Sequence, residues 1–232
     1  MKVGIVGLPN VGKSTLFNCL SQSKAQSENY PFCTIDPNVS IVNVPDTRLD
    51  KLSSLISPEK IIPTNVKIVD IAGLVKGASK GEGLGNKFLS NIRETDAIIH
   101  VLRCFDDPNI IHVDGKINPL SDKEVVEYEL ILKDIEIVDK RLDKIKKTLR
   151  SGSGESKKEI EVLENVRLQL ENVSVNKSDY SDDQFEDYIK PLELISFKPI
   201  LYVCNVGEND VISGNDYVDE VRKEIGDKDS EI

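Results

Sequence analysis

The segment Gly7-Leu8-Pro9-Asn10-Val11-Gly12-Lys13-Ser14-Thr15 constrains this chain more than any other. Its spacing is a complete G-x-x-x-x-G-K-S. The apolar run Val3-Gly4-Ile5-Val6 before it predicts a buried strand, and Leu16-Phe17-Asn18-Cys19-Leu20 after it predicts the first turns of a helix. Strand, glycine-rich loop and helix form the setting of a phosphate-binding loop. Backbone N–H groups of Asn10, Val11, Gly12, Lys13, Ser14 and Thr15 face inward around a phosphate only if Gly12 allows close approach. The helix N-terminus then adds its positive dipole end. Lys13 is expected to reach the β and γ phosphates, and the Ser14 hydroxyl to ligate Mg²⁺. A glycine-rich turn without a ligand is the competing reading. The lysine, the hydroxyl and the flanking elements weigh against it.

At 232 residues the chain holds one sizeable core, or one core with a satellite element. Charged residues are 30% and hydrophobic residues 39%, a soluble globular composition rather than a membrane or disordered one. The net charge of −10 argues against a surface uniformly built for nucleic acid, and no DNA partner is expected, although a local basic patch stays open. Cys19, Cys33, Cys104 and Cys204 form no C-x-x-C pair and no metal spacing, and read as reduced thiols. The N-terminus shows no charged leader and no long apolar stretch, so a cytoplasmic location is expected, with no membrane partner.

Beyond the first helix, Tyr30-Pro31-Phe32-Cys33-Thr34-Ile35-Asp36-Pro37-Asn38 carries two prolines that a helix or a central strand would reject. It reads as an ordered loop, with Thr34 as the candidate to close over Mg²⁺ and the γ-phosphate. Residues 39–44 alternate as a strand, and 46–56 follow as a short helix with Leu49, Leu52 and Leu55 on one stripe. Residues 66–73 predict a second buried strand ending in D-x-x-G, where Asp70 is placed to hold Mg²⁺ directly or through water and Gly73 to turn its N–H toward the γ-phosphate. Five glycines between 73 and 85 make that loop costly to order before a ligand fixes it. A helix over 86–94 and a third buried strand over 97–102 complete this half, with His100 as a satisfied core histidine.

From 122 to 190 the pattern changes. Tyr128, Leu132, Ile135, Val138, Leu142, Ile145 and Leu149 recur at threes and fours, the stripe of a long amphipathic helix. Arg150-Ser151-Gly152-Ser153-Gly154 breaks it, and Ile160, Leu163, Arg167 and Leu170 begin a second helix. The pair predicts an antiparallel, coiled-coil-like arm over 122–190, inserted into a nucleotide-binding domain of 1–121 and 191–232. Lys140, Arg141, Lys144, Lys146, Lys147, Arg150, Lys157 and Lys158 lie near the turn. They read either as a solvated helix surface or as a basic tip for RNA phosphates. The acidic stretch 178–187 predicts a solvated connector. Residues 199–204 predict a strand that delivers Asn205-Val206-Gly207-Glu208, and 215–225 a helix. A guanine clamp has N-K-x-D. Here Val206 replaces the lysine and Glu208 carries its carboxylate one methylene further, which weakens the clamp without proving a preference for adenine.

The phosphate loop, the 30–38 loop, Asp70-Ile71-Ala72-Gly73-Leu74-Val75-Lys76-Gly77 and Gly81-Glu82-Gly83-Leu84-Gly85-Asn86 together closely resemble the YchF, or Obg-like ATPase, family of translation-factor-class P-loop proteins. The resemblance implies a doubly wound, mostly parallel α/β sheet with an inserted antiparallel helical arm. It implies a Mg²⁺-dependent nucleotide switch that hydrolyses ATP, with GTP a weaker ligand, and a ribosome or ribosomal RNA partner. Leu74 stands where many related GTPases carry a water-positioning glutamine, and leucine cannot orient water. His112 matches a family position proposed for catalysis, against the bland reading of a solvated loop histidine. The resemblance further implies that Asn10 helps seat K⁺ and that an aromatic at Phe105 packs near the base, beside Asn205, Val206 and Glu208. A GTPase, or a nucleotide-gated binding module with negligible turnover, are the rival readings. The chain stops where the family continues into another strand, a further base-contacting loop and a TGS domain, so it reads as a shortened form.

Overall fold

The computed structural model describes residues 1–22, 39–71, 91–112, 115–149 and 155–225. Thr34, Gly73, Leu74, the glycine-rich loop, the 150–154 break and most of the expected 86–94 helix lie outside them. Five strands form one sheet: β1 (Lys2–Val6), β2 (Val39–Asn43), β3 (Asn65–Asp70), β4 (Ala97–Cys104) and β5 (Ile200–Val206). Their order is β2-β3-β1-β4-β5. β1 is parallel to β3 and β4, β4 is parallel to β5, and only β2 runs antiparallel, with Ile41 opposite Lys67. β1 is central, and its run of Val3, Ile5 and Val6 is nearly solvent-free, as a strand covered on both faces requires. The chain leaves β1 toward β3 on one side and places β4 on the other. This creates a switch point at the carboxyl ends of the strands, the crevice where open α/β sheets bind ligands.

Helix α1 (Lys13–Gln22) starts directly from the phosphate loop, with Leu16 N donating to Gly12 O at 2.9 Å. Phe17 and Val11 join Ile5, Val69 and Ile98 in the main core. Helix α2 (Thr47–Ile56) is capped by Asp46, whose carboxylate accepts from Arg48 N. Its expected apolar stripe is not buried by the described residues: Leu52 is 54% and Leu55 81% exposed.

The long helix α3 (Pro119–Leu149) and α4 (Glu155–Glu171) form the expected antiparallel pair. Arg167–Asp139, Arg141–Glu159 and Lys146–Glu164 ion pairs link the two helices. Lys140 pairs with Glu136 on the same helix. Three of the residues expected to make a basic tip therefore spend their charge within the arm. The buried stripe of α3 also differs from the expected one. Val126, Leu130, Ile131, Val138, Leu142 and Ile145 are buried, whereas Tyr128 is 56% exposed. The helix crosses two cores: Val126 and Leu130 pack with the sheet, and Val138 to Ile145 pack with Leu163 and Val166 of α4. A single stripe cannot serve both. Leu149 lies outside the described side chains.

The stretch 178–187 is solvated on its acidic side, as its composition suggests, but it is more than a connector. It folds into short helical turns that close the second core, with Tyr180 and Ile189 buried and Phe185 edge-on to Phe197 at 5.6 Å. A capping box between Ser181 and Gln184 starts the turn, which sends the acids outward and the apolar residues in. The returning chain is pinned by Asp134, fully buried on α3, which accepts from Ile195 N at 3.0 Å, Ser196 N at 2.7 Å and Ser196 Oγ at 2.7 Å. Burial pushes its carboxyl up, against the pull of those donors.

Helix α5 (Asp216–Ile225) buries Val218, Val221 and Ile225 against Leu102, Cys104 and Tyr202. His100 is buried, but it is not the hydrogen-bonded core histidine expected: its Nε2 has no partner among the described residues, and its ring lies 5.6 Å from that of Tyr202. Burial lowers its pKa to about 3, so it is neutral. No helix among the described residues is long and apolar enough to cross a membrane.

Candidate nucleotide site

The loop from Gly7 to Gly12 takes three backbone angles that side chains resist: φ is 148° at Gly7, 62° at Asn10 and 101° at Gly12. A Cβ on Gly7 would sit 2.5 Å from Val101 O, and one on Gly12 would sit 2.3 Å from Asn205 Nδ2. Both glycines are thus fixed by close approach as well as by conformation. Asn10, an L residue in the left-handed region, donates its side-chain amide to Ile111 O at 3.1 Å. The turn is held from outside by the loop that follows β4.

Lys13 is 7% exposed and bends back to donate from Nζ to Leu8 O at 2.6 Å. Burial lowers its pKa to about 8, opposed by attraction to Asp70. Ser14 Oγ donates to Asp70 Oδ2 at 3.2 Å, while Asp70 Oδ1 is buried without a hydrogen-bond partner among the described residues. A hydroxyl beside a carboxylate with an unused buried oxygen is an oxygen donor set of the kind Mg²⁺ takes. The residues present therefore fit that ion, and the lysine beside them fits the phosphates it would accompany.

Four strand ends converge here. β1 supplies the loop and β3 supplies Asp70. The segment after β4 supplies Ile111, and β5 supplies Asn205, whose Nδ2 donates to Val11 O at 2.9 Å. The structure thus brings together Asn10, Val11, Gly12, Lys13, Ser14, Asp70 and Asn205, with Thr15 exposed on the first turn of α1. Val206 ends β5 half-buried, and Glu208 is exposed on the short turn Glu208–Asp210. Thr34 and Gly73 cannot be placed, being outside the described residues.

His112 is not a solvated loop histidine. It is 8% exposed, with Nε2 2.9 Å from Asp122 Oδ2 in the first turn of α3. Its chain neighbour Ile111 carries the link to Asn10, so the histidine is one residue from a contact with the phosphate loop, while its ring nitrogen meets a buried acid. Asp122 received no role from sequence reasoning, which used it only as a boundary.

Arg103 was missed as well. Only 1% exposed at the end of β4, it donates to Phe105 O at 3.2 Å, Ile110 O at 3.0 Å and Asp107 O at 3.3 Å, and its guanidinium lies 4.7 Å from the centre of the Phe105 ring. It shapes the loop that carries both Phe105 and Ile111. The signal was an arginine inside an otherwise apolar strand. Asn215 is similar: it donates to Cys104 O at 2.8 Å and accepts from Val218 N at 3.2 Å, which ties the start of α5 to the end of β4.

A family model described as 50S ribosome-binding GTPase matches residues 2–165. The ribosome-binding ATPase YchF of Bacillus subtilis (strain 168) is 50% identical over 234 residues, covering 100% of this chain and 64% of that protein. The protein of the same name from Haemophilus influenzae is 50% identical over 222 residues, covering 96% of this chain and 61% of its own length. Among solved structures, the Schizosaccharomyces pombe YchF GTPase superposes with a TM-score of 0.84 at 39% identity, over 100% of this chain and 64% of that one. The chain spans a little under two thirds of the length of these relatives.

Proposed function

We propose a function from one premise: the chain belongs to the 50S ribosome-binding GTPase family and, within it, is a YchF homologue. It works as a Mg²⁺-dependent nucleotide switch that binds ATP and hydrolyses it to ADP and phosphate, in the cytoplasm and in association with the ribosome. The observation that carries this reading is the set of Lys13, Ser14 and Asp70 at the carboxyl edge of the sheet, with Asp70 Oδ1 buried and unused. Bound Mg²⁺ supplies charge neutralisation for the β and γ phosphates.

The chain's own residues do the rest. The Gly7–Gly12 turn offers backbone N–H groups to the phosphates, and Lys13 exchanges its bond to Leu8 O for a phosphate oxygen. Asn10 helps to seat K⁺ beside them. Thr34 and Gly73 respond to the γ-phosphate and set the switch. His112, its ring oriented by Asp122, aligns the attacking water in place of the glutamine that Leu74 cannot mimic. Phe105, Val206 and Glu208 border the base, and the weakened guanine clamp favours ATP. The nucleotide domain comprises 1–121 and 191–232, and the arm 122–190 presents Lys147, Lys157 and Lys158 to ribosomal RNA.

The second reading is a GTPase, favoured by the family description and by the name of the solved S. pombe relative. Calorimetric titration with ATP and with GTP, each with Mg²⁺ and with Lys13→Ala as the blank, separates the two. Preference for ATP that vanishes in the variant supports the proposal. Equal or stronger binding of GTP overturns the base assignment, and binding without release of phosphate overturns the hydrolase.

A further inference from the structure

One buried cation holds the loop that follows β4. The guanidinium of Arg103 donates to the carbonyls of Phe105, Asp107 and Ile110, and Asp107 O also accepts from Ile110 N at 3.2 Å, which closes the turn. Every one of these partners is neutral, and Arg103 forms no ion pair among the described residues. The nearest acids in sequence serve other donors: Asp106 accepts from Tyr217 Oη at 3.2 Å, and Asp107 Oδ1 from Asn109 N at 2.8 Å. A buried charge without a counter-charge is costly. Tying down a carbonyl does not require it, since Asn215 holds Cys104 O at 2.8 Å with a neutral amide. What the guanidinium adds is a charged plane. It packs over the half-buried ring of Phe105, 4.7 Å from the ring centre. Arg103 stands opposite Asn205 in the sheet, and Cys104 opposite Val206, so Phe105 leaves β4 at the edge where the segment 205–208 leaves β5.

We propose that Arg103 is a positioning residue for nucleotide binding: it stacks on one face of Phe105, ties down the loop around it, and so presents the opposite face of the ring to the purine. This rests on the nucleotide reading, in which Phe105 borders the base. Stacking accepts either purine, so Arg103 strengthens ATP and GTP alike and leaves the choice between them to other residues. It acts only on a ligand that carries a base. Lysine is a poor substitute, because an ammonium is a point charge without a plane and cannot serve three carbonyls and a ring from one fixed fork.

The test is calorimetric titration of the whole chain with ATP and with inorganic tripolyphosphate, each with Mg²⁺. The parent, Arg103→Lys, Phe105→Leu and the double variant are compared, after melting curves show folded protein. Arg103→Lys is expected to weaken ATP by at least about fivefold, the low end of one base–aromatic stack, and to leave tripolyphosphate within about twofold. Phe105→Leu should do the same, and the double variant should lose no more than Phe105→Leu alone, since both act through one stack. Unchanged ATP binding in Arg103→Lys, an equal loss for tripolyphosphate, or additive losses in the double variant would each overturn the proposal. Loss in Phe105→Leu without loss in Arg103→Lys overturns this inference alone and leaves the nucleotide site standing. No binding of either ligand by the parent overturns the nucleotide reading with it. If Arg103→Lys does not fold, Arg103→Gln takes its place, and the parent gives a second measurement: its Arg103 Nε–H resonance is expected to shift more with ATP than with tripolyphosphate. An equal shift would overturn the proposal.

Discussion

The side-chain amide of Asn205 donates to the carbonyl oxygen of Val11 at 2.9 Å, and a Cβ on the adjacent Gly12 would strike the same amide at 2.3 Å. The base-side loop after β5 and the phosphate loop after β1 are therefore one assembled unit, with β4 between their strands. Asn205→Ala is expected to weaken ATP and GTP alike. Loss of one neutral hydrogen bond is worth about 1 kcal/mol, or roughly fivefold in affinity. Titration with both nucleotides reads this, and a loss confined to one of them would mean that Asn205 acts on the base alone.

Lys13 gives the site a pH dependence of definite sign. Its pKa falls to about 8 in the fold from 10.5, so between those values the unfolded chain holds more protons than the folded one. The unliganded protein should gain stability as pH rises through that window, and Lys13→Met should remove the gain. Triphosphate binding restores charge around the ammonium, so it should take up a proton near pH 8.5. Calorimetry in two buffers of different ionisation enthalpy measures that uptake.

Asp70→Asn keeps the size of the side chain but removes the charge beside Ser14. Nucleotide affinity measured without Mg²⁺ is expected to hold or rise, since a phosphate prefers a neutral neighbour. The extra affinity conferred by Mg²⁺ should disappear. Titrations with and without the ion separate the two effects, and retention of the Mg²⁺ increment would remove Asp70 from the ion's ligands.

His112→Ala is expected to reduce turnover by about 10² or more at unchanged nucleotide affinity, the range of a positioned acid–base group. Asp122→Asn should cause a smaller loss of the same kind, because it leaves the imidazole but not its charged partner. Phosphate release and binding are measured on the same samples, after melting curves show folded protein. Unchanged turnover in His112→Ala would assign the pair to structure only.

Asp134→Ala strips the acceptor from the amides of Ile195 and Ser196 and from the Ser196 hydroxyl, all close to the core. Leaving such donors unpaired costs about 1–3 kcal/mol each at most, so a loss of several kcal/mol in chemical denaturation is expected. Asp134→Asn, which keeps an acceptor oxygen, should lose less.

The phosphate site was legible because its residues are local. Two glycines, a lysine and a serine within nine positions determine the turn, and Asp70 follows from a strand that ends in a carboxylate. Asp122, Arg103 and Asp134 were not legible, since each acts through chain folded back on it: Asp134 meets Ser196 across 62 positions, and nothing periodic marks such a pair. The stripe of α3 was misread for a different reason. Tyr128 keeps the spacing of the arm's apolar residues, but at that height the helix already faces the sheet, so the buried side has rotated to Val126 and Leu130. Residues 178–187 were legible in part: their acids are the solvent face expected from composition, but the turns that bury Tyr180, and Ile189 just beyond, leave no mark in it.

Because α3 belongs to both cores, it is a lever with its short end set beside the candidate nucleotide site. Asp122 in its first turn grips His112, one residue from the carbonyl that Asn10 holds. From Leu130 to Ile145 the helix runs about 22 Å at 1.5 Å per residue, so a tilt of roughly 10° at the root sweeps the outer part through about 4 Å. On the other side of Leu130, Asp122 lies about 12 Å away, so a displacement of about 1 Å there would carry Ile145 through roughly 2 Å.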